Sequence, residues 1–255
     1  MISLEALSIS AMFALCTCST ACMSAPLEEG DADEVASQQF AWTNLIYYQP
    51  LRSTSCTSSQ YSVALNAFYE ADKRISNADL WMVQSVIATF GPKPTDDWRR
   101  YIKWFGPPDG LATGSRLNRV IANIRRLKNA LSGVTGPTGS FFEPGAQEPH
   151  WVINCSCTRL DAYAWVFPST PWTIRLCPRY FNELPNLNWF GGLSQPGVLI
   201  HETSHFVAVA DARDFAGEYA GAAALAASDP EAAIKNADNY AYFASNEDNF
   251  PMLLR

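Results

Sequence analysis

The chain has 255 residues, a length that suits one large domain or two small ones. Apolar residues make up 48% of the sequence and aromatic residues 13%, so the chain has ample material for a hydrophobic core. The net charge of −7 argues against nucleic acid or an anionic membrane surface as a partner, because both recruit proteins through a basic surface.

The N-terminal region combines an apolar stretch with an acidic one. Residues 6–25 are apolar and small, and the acidic stretch follows them. This order is typical of a secretory signal peptide over residues 1–25, followed by an acidic linker or short pro-segment over residues 26–50. The alternative is a hydrophobic helix of a cytosolic protein, since the first residues include neither Lys nor Arg. We expect secretion, and no membrane contact once the signal peptide is removed.

Two segments in the first half have apolar residues at helical spacing. Residues 58–91 begin with Ser58 and Ser59 as predicted N-caps, and Gly91-Pro92 ends the helix. Residues 115–131 predict an amphipathic helix whose arginines form a solvated face opposite the apolar stripe. The stripe consists of Leu117, Val120, Ile121, Ile124, Leu127 and Leu131.

The second half predicts strands first and helices last. Residues 134–147 are rich in Gly and Pro and indicate a loop, and HWVINCSC, AYAWVFP and WTIRLC then have strand character. Residues 178–193 are predicted to be irregular. Two helices close the chain, EYAGAAALAAS and PEAAIKNADNYAYFASN. Helices, then strands, then helices predict an α+β domain.

Four of the seven cysteines lie outside the predicted signal peptide: Cys56, Cys155, Cys157 and Cys177. An even number in a secreted chain predicts two disulfides. Cys155 and Cys157 lie on the same side of a strand and cannot easily bond to each other, which leaves two pairings open. A zinc site built from these four residues is disfavoured by the C-x-C spacing, because no second close pair exists.

The sequence HETSH, from His201 to His205, places two histidines four residues apart on a predicted helix. Ser194 is its predicted N-cap, and Pro196 lies in its first turn. Both imidazoles then share one helix face and can converge on one ion. Glu202, next to the first histidine, can take a proton from metal-bound water.

A catalytic zinc ion has three protein ligands and one open position, so a third ligand must come from elsewhere in the chain. His150 is the only other histidine, and Asp211, Asp214 and Glu218 follow the helix. The residues alone leave these four candidates open. The alternative interpretation is an ordinary buried helix that contains two polar residues.

The segment from HETSHF onward resembles the aspzincin (deuterolysin) metallopeptidases, and in particular the secreted fungal peptidyl-Lys metalloendopeptidases. Those proteins have HExxHF followed by G-T-x-D-x-x-Y-G, and the resemblance extends to SCTSSQ, WFG and SDPEAAIKNADNYAYF, so it spans residues 55–246. It implies a zincin-like metallopeptidase domain over residues 51–250, with N-terminal helices, a small mixed sheet, a zinc-binding helix and C-terminal helices. It also implies the disulfides Cys56–Cys155 and Cys157–Cys177.

The resemblance implies a metal site with one Zn²⁺ ion. Counting along the motif without a gap places the third ligand at Asp214, beside His201 and His205. Glu202 then matches the catalytic base of the family.

The sequence departs from the family at two points. Gly217 stands at the motif Tyr, whose hydroxyl would donate to the oxyanion, and Glu218 stands at the final Gly. Tyr219 is the candidate substitute oxyanion partner, although on a helix it would point about 200° away unless the loop is rearranged. Lysine-specific members have two acids in NADN-x-E-YF. Here Asp238 matches the first as a substrate-binding residue, but Ala241 replaces the second, which predicts a relaxed preference for lysine.

We therefore expect a secreted, monomeric zinc endopeptidase that acts on protein or peptide substrates. One alternative is a zinc-binding relative with weak or no catalysis that acts as a secreted effector or surface protein. The other is a secreted protein that captures zinc through the same ligands. Hydrolysis of unfolded protein that a chelator abolishes would distinguish the enzyme from both alternatives.

Overall fold

The computed structural model describes residues 51–87, 98–135, 151–186 and 193–245. The helices of these ranges are Ser58–Trp81 (α1), Arg99–Phe105 (α2), Arg116–Thr135 (α3), Pro178–Asn182 (α4), Gln195–His205 (α5), Glu218–Ser228 (α6), Pro230–Ala233 (α7) and Ala237–Ala244 (α8), and a π-helical segment, Met82–Ile87, continues α1. The strands are Arg52–Thr54 (β1), Val152–Asn154 (β2), Ala164–Trp165 (β3) and Thr173–Leu176 (β4). None of the described helices is long and apolar enough to cross a membrane.

The four strands form one small mixed sheet in the order β1-β2-β4-β3. Strands β1, β2 and β4 pair in parallel, and β3 pairs antiparallel to β4 at the edge of the sheet. Ile153 lies opposite Ile174, and both are fully buried, because directly paired residues of neighbouring strands lie on the same face of the sheet. Strand β1 was not predicted, since its three residues are exposed and it joins the sheet through its backbone. The domain is α+β, as the sequence predicts.

Helix α1 begins one residue earlier than predicted. The N-cap is Thr57, whose side chain accepts from the backbone of Gln60, while the Gln60 side chain accepts from the backbone of Thr57. This capping box satisfies two donors at the helix end, so the prediction of Ser58 or Ser59 as the cap was wrong. The predicted end at Gly91-Pro92 lies outside the described residues.

Helix α3 confirms the predicted apolar stripe, all six members of which are buried. The prediction of a solvated arginine face was wrong in part. Arg126 donates to the carbonyl of Val209 at 2.6 Å, and Arg119 pairs with Glu231 at 2.8 Å. These contacts connect α3 to the C-terminal part of the domain. The helix continues to Thr135, and the rest of the predicted loop lies outside the described residues.

The structure differs from two predicted elements of the second half of the chain. Part of the predicted irregular region forms α4, in which Pro178 occupies the first turn. The last predicted helix is divided into α7 and α8, because Asn236 has an extended backbone and forms a parallel bridge with Arg213. Helices α5 and α6 form as predicted, and the Ser194 side chain caps α5 by accepting from Gly197.

Helix α5 lies inside the domain, in contact with α1, α3, α8, β3 and β4. Leu199, Ile200 and Phe206 are fully buried. The Phe206 ring packs against Trp151 and Trp172, with centroids 5.9 Å and 5.7 Å apart. A helix enclosed in this way is a rigid support for the side chains that it carries.

Two disulfides join segments at the ends of the strands. Cys56 bonds to Cys155 and Cys157 bonds to Cys177, the same pairing that the family resemblance implies. The first bond links the start of α1 to the end of β2, across a sequence separation of 99 residues. The second links the segment after β2 to the start of α4, across 20 residues.

Removing the long-range disulfide should destabilise the domain more than removing the local one. In the chain-entropy account, Cys56→Ala with Cys155→Ala lowers the free energy of unfolding by about 4.7 kcal/mol, and Cys157→Ala with Cys177→Ala lowers it by about 3 kcal/mol. Urea unfolding followed by tryptophan fluorescence would measure both variants. A larger loss in the free energy of unfolding for the variant without Cys157–Cys177 would contradict the prediction.

Candidate metal centre

Three potential ligand atoms converge at the C-terminal end of α5. His201 and His205 are one helical turn apart, and their Nε2 atoms are 3.1 Å from each other. The Asp214 Oδ1 atom is 3.1 Å from His201 Nε2 and 3.4 Å from His205 Nε2. In the described part of the chain, no other group of three His, Cys, Asp or Glu side chains is placed to hold a metal ion. Asp211 and Glu218 do not join this group, and His150 lies outside the described residues.

Hydrogen bonds at the opposite side of each ring orient both imidazoles. His205 Nδ1 lies 2.9 Å from the carbonyl oxygen of Ala212, and His201 Nδ1 lies 2.6 Å from Asp238 Oδ1. Since a carbonyl or carboxylate oxygen accepts, each Nδ1 bears the proton that is donated. Each Nε2 can then offer a lone pair to a metal. Two imidazole nitrogens and a carboxylate oxygen form a donor set that suits zinc.

The surrounding charges explain the titration of the two histidines. Burial disfavours a charged His201, but its hydrogen bonds to Asp214 and Asp238 raise its pKa to about 10. Burial lowers the pKa of His205, and the nearby charge of His201 adds to this effect. The carboxylates that stabilise a positive imidazole would also stabilise a divalent cation at the same place.

Glu202 lies in the same pocket as the three potential ligands. Its side chain is buried, and this burial raises its pKa to about 7, although the neighbouring charge of His201 acts in the opposite direction. A carboxyl group with a pKa near neutrality is suited to accept a proton and later to donate it.

Two residues that follow α5 have a left-handed backbone, one in the loop to α6 and one at the first position of α6. Asp211 has φ 49° and Glu218 has φ 62°, and they stand at the two Gly positions of the resembled motif. Asp tolerates this conformation better than most residues, whereas Glu is less favoured in it. Both positions thus adopt a backbone conformation that glycine accommodates most readily.

The pocket has a volume of about 500 Å³ and is open to solvent on one side. Strand β3 and the residues next to it form one wall, so the antiparallel edge of the sheet lies beside the potential ligands. In addition to these ligands and Glu202, its lining includes Arg159, Asp161, Tyr163, Trp165, Val166, Pro168, Leu193, Gly217, Glu218 and Asp238.

The structure does not bring Tyr219 into this pocket. Its hydroxyl accepts from Lys103 Nζ, and its ring packs edge-on against Trp104 with the centroids 4.9 Å apart. Gly217 does line the pocket, and its φ of −92° is accessible to any residue. The motif position therefore lies at the site without a hydroxyl.

Asp238 also lines the pocket, but its carboxylate is buried and bound to His201. Sequence reasoning missed Arg159 and Tyr163, two further polar side chains of the lining. Arg159 pairs with Asp161 at 3.0 Å. Their only sequence signal was their location inside the segment that resembles the family.

A small mixed sheet beside an HExxH helix, with a carboxylate supplied by the next loop, defines a zincin-like metallopeptidase fold. A profile of the aspzincin M35 family, described as lysine-specific metallo-endopeptidase, matches residues 93–245. The chain belongs to this family.

Relatives and a solved structure agree with this assignment. A peptidyl-Lys metalloendopeptidase of Armillaria mellea is 31% identical over 75% of this chain and 45% of its own length. An extracellular protease of Aeromonas hydrophila is 29% identical over 76% of this chain and 46% of its own length. The chain thus spans about half the length of these curated relatives. A solved zinc peptidase from Grifola frondosa superposes with a TM-score of 0.57 at 27% identity, covering 75% of this chain and 97% of that one.

Asp214→Asn should weaken zinc binding strongly, and Asp211→Asn should not. Losing a ligand should cost more than about 100-fold in affinity, which exceeds the usual effect of a residue outside the ligand set. Asp211→Asn removes the same charge three residues away, and Asn tolerates a positive φ. Competition with a fluorescent chelator would measure both affinities. Equal effects of the two variants would contradict the assignment of Asp214.

Proposed function

We propose that the protein is a secreted zinc metalloendopeptidase that hydrolyses peptide bonds in protein and peptide substrates. The proposal depends on one observation, the convergence of His201, His205 and Asp214 in a pocket that also contains the buried Glu202. Membership of the aspzincin family and the likeness to a zinc peptidase support it. The two disulfides and the extracellular relative from Aeromonas hydrophila support secretion.

Different residues of the chain would bind the metal and transfer the proton during hydrolysis. A bound zinc ion would supply Lewis acidity, which polarises the scissile carbonyl and makes water a better nucleophile. His201, His205 and Asp214 would hold the ion. The Glu202 carboxylate would accept a proton from the attacking water, keep it on a carboxylate oxygen, and deliver it to the nitrogen of the leaving amine.

The charges of the pocket support a relaxed preference for lysine. Asp238 is engaged by His201, and Ala241 contributes no second carboxylate at the position where lysine-specific relatives have one. The exposed Glu218 adds negative charge to the lining, whereas the charge of Arg159 is balanced by its partner Asp161. A lysine side chain would still be attracted to the negative charge of this pocket. Positions 238 and 241, however, do not supply a pair of carboxylates that would bind its ammonium group specifically.

The placement of Gly217 and Tyr219 favours a second candidate function, a zinc-binding relative with weak or no catalysis. Gly217 has no hydroxyl, and the Tyr219 side chain is hydrogen-bonded to Lys103 and packed against Trp104, away from the pocket. Arg159 and Tyr163 are pocket donors that could replace the missing group. A zinc-capturing protein would use the same three ligands and would need no such donor.

Glu202→Gln should abolish hydrolysis without removing the metal. A glutamine cannot accept the proton of the attacking water, and general acid–base catalysis contributes about 10²–10⁴-fold in rate. Casein digestion would measure the loss, and elemental analysis should find the same zinc content in both proteins. A wild-type protein that contains zinc but shows no chelator-sensitive digestion would support the second candidate function instead.

Gly217→Tyr should raise kcat on a peptide substrate, by up to about 100-fold, if the site lacks an oxyanion donor. The position can accept a Cβ, because the one atom of the described residues within 4 Å of it would be Asp238 Oδ2, at 4.0 Å. Zinc affinity should be nearly unchanged, since the hydroxyl acts on the transition state.

Gly217→Phe is the matched control, because it adds the same ring without the hydroxyl. Equal rates for the Tyr and Phe variants would mean that another pocket group already donates to the oxyanion. Tyr163→Phe would then test one of these groups directly, through a fall in kcat.

A further inference from the structure

One buried side chain, that of Asn236, binds the backbone of the loop directly after Asp214. Its Oδ1 accepts from the backbone N–H groups of Phe215 and Ala216, at 2.8 Å and 3.1 Å. Its Nδ2 donates to the carbonyl of Ala216 at 2.9 Å and to Asn239 Oδ1 at 2.6 Å. The amide thus uses both of its donors and accepts twice, and the side chain is fully buried.

The other side of Asp214 is held by the backbone. Arg213 donates to the carbonyl of Lys235 at 2.7 Å and accepts from Ala237 at 2.9 Å. Asp214 therefore lies between two points of attachment to the segment that joins α7 and α8. Its own side chain is 67% exposed, so little packing determines where the carboxylate points. The attachments on either side fix the backbone of Asp214, and from that backbone the carboxylate reaches His201 Nε2 at 3.1 Å.

We propose that Asn236 is a positioning residue of the metal centre. Its carboxamide fixes the backbone that follows Asp214, and so holds the carboxylate toward His201 and His205 before any ion binds. This inference rests on the proposed metalloendopeptidase function, because it assigns Asn236 a task at that same site.

Asn239 extends this support to two further helices. Its Nδ2 donates to the carbonyl of Trp104 in α2 at 2.5 Å and to that of Ala222 in α6 at 3.0 Å. Asn236 is therefore bonded to a residue of α8 that itself binds α2 and α6. Asp238, between the two asparagines in sequence, accepts from His201. The segment 236–238 thus contacts two of the three potential ligands. Asn236 holds the backbone next to Asp214, and Asp238 holds the His201 ring.

Asn236→Ala should weaken zinc binding by about 10–100-fold, the range typical of residues that orient metal ligands. Competition with a fluorescent chelator would measure the affinity, at a temperature where circular dichroism shows the variant folded. Asn123→Ala is the matched control, because Asn123 is also a buried asparagine, and among the described residues its side chain is hydrogen-bonded to Tyr240 and Arg126 and not to the Asp214 loop or a potential ligand. The control should lower the melting temperature and leave zinc affinity unchanged within about threefold.

A double-mutant cycle separates positioning from general destabilisation. If Asn236 acts through Asp214, then Asn236→Ala should change zinc affinity by less than about threefold in an Asp214→Asn background. The same large loss in both backgrounds would overturn the inference. So would an unchanged affinity in Asn236→Ala while the wild-type protein binds zinc, whereas failure of the wild-type protein to bind zinc would overturn the proposed function itself.

Hydrogen exchange of the metal-free wild-type protein tests the contact without any substitution. Because the N–H groups of Phe215 and Ala216 are bonded to a buried side chain, they should exchange at least about 100-fold more slowly than unstructured amides. Rapid exchange of both amides in the folded protein would overturn the inference, even if Asn236→Ala failed to fold.

Discussion

The metal centre depends on the attraction between the His201 imidazole and the two carboxylates on either side of it. Asp214 lies 3.1 Å from one ring nitrogen and Asp238 lies 2.6 Å from the other. These contacts join three separate parts of the domain, namely α5, the loop after it, and α8. The contact between His201 and Asp238 is stronger than it would be in water, because both side chains are largely buried and less solvent screens their charges.

Sequence patterns predicted the elements whose stability comes from local periodicity. The apolar stripe of α3 and the cap of α5 at Ser194 are examples, since each depends on residues within one or two turns. Strand β1, the break at Asn236 and the role of Arg126 were missed because distant partners create them: β2, Arg213 and the carbonyl of Val209.

In the candidate site, too, the features that depend on residues close in sequence were predicted, and those that depend on distant residues were not. The spacing of His201 and His205 indicated a metal-binding helix, because four residues make about one turn. Residue patterns alone left the third ligand open among four residues, and only the family resemblance pointed to Asp214. The resemblance also suggested a substrate-binding role for Asp238. Its hydrogen bond to His201 could not be predicted, since 37 residues separate the two in the chain.

The glycine at position 217 has a consequence for selective inhibition. In the described part of the chain, an added Cβ there would meet one atom within 4 Å, Asp238 Oδ2 at 4.0 Å, so the pocket wall has room at the position where the motif has a tyrosine. A zinc-chelating inhibitor with an aromatic group directed at this space should fit here and collide with the tyrosine ring in relatives that match the motif.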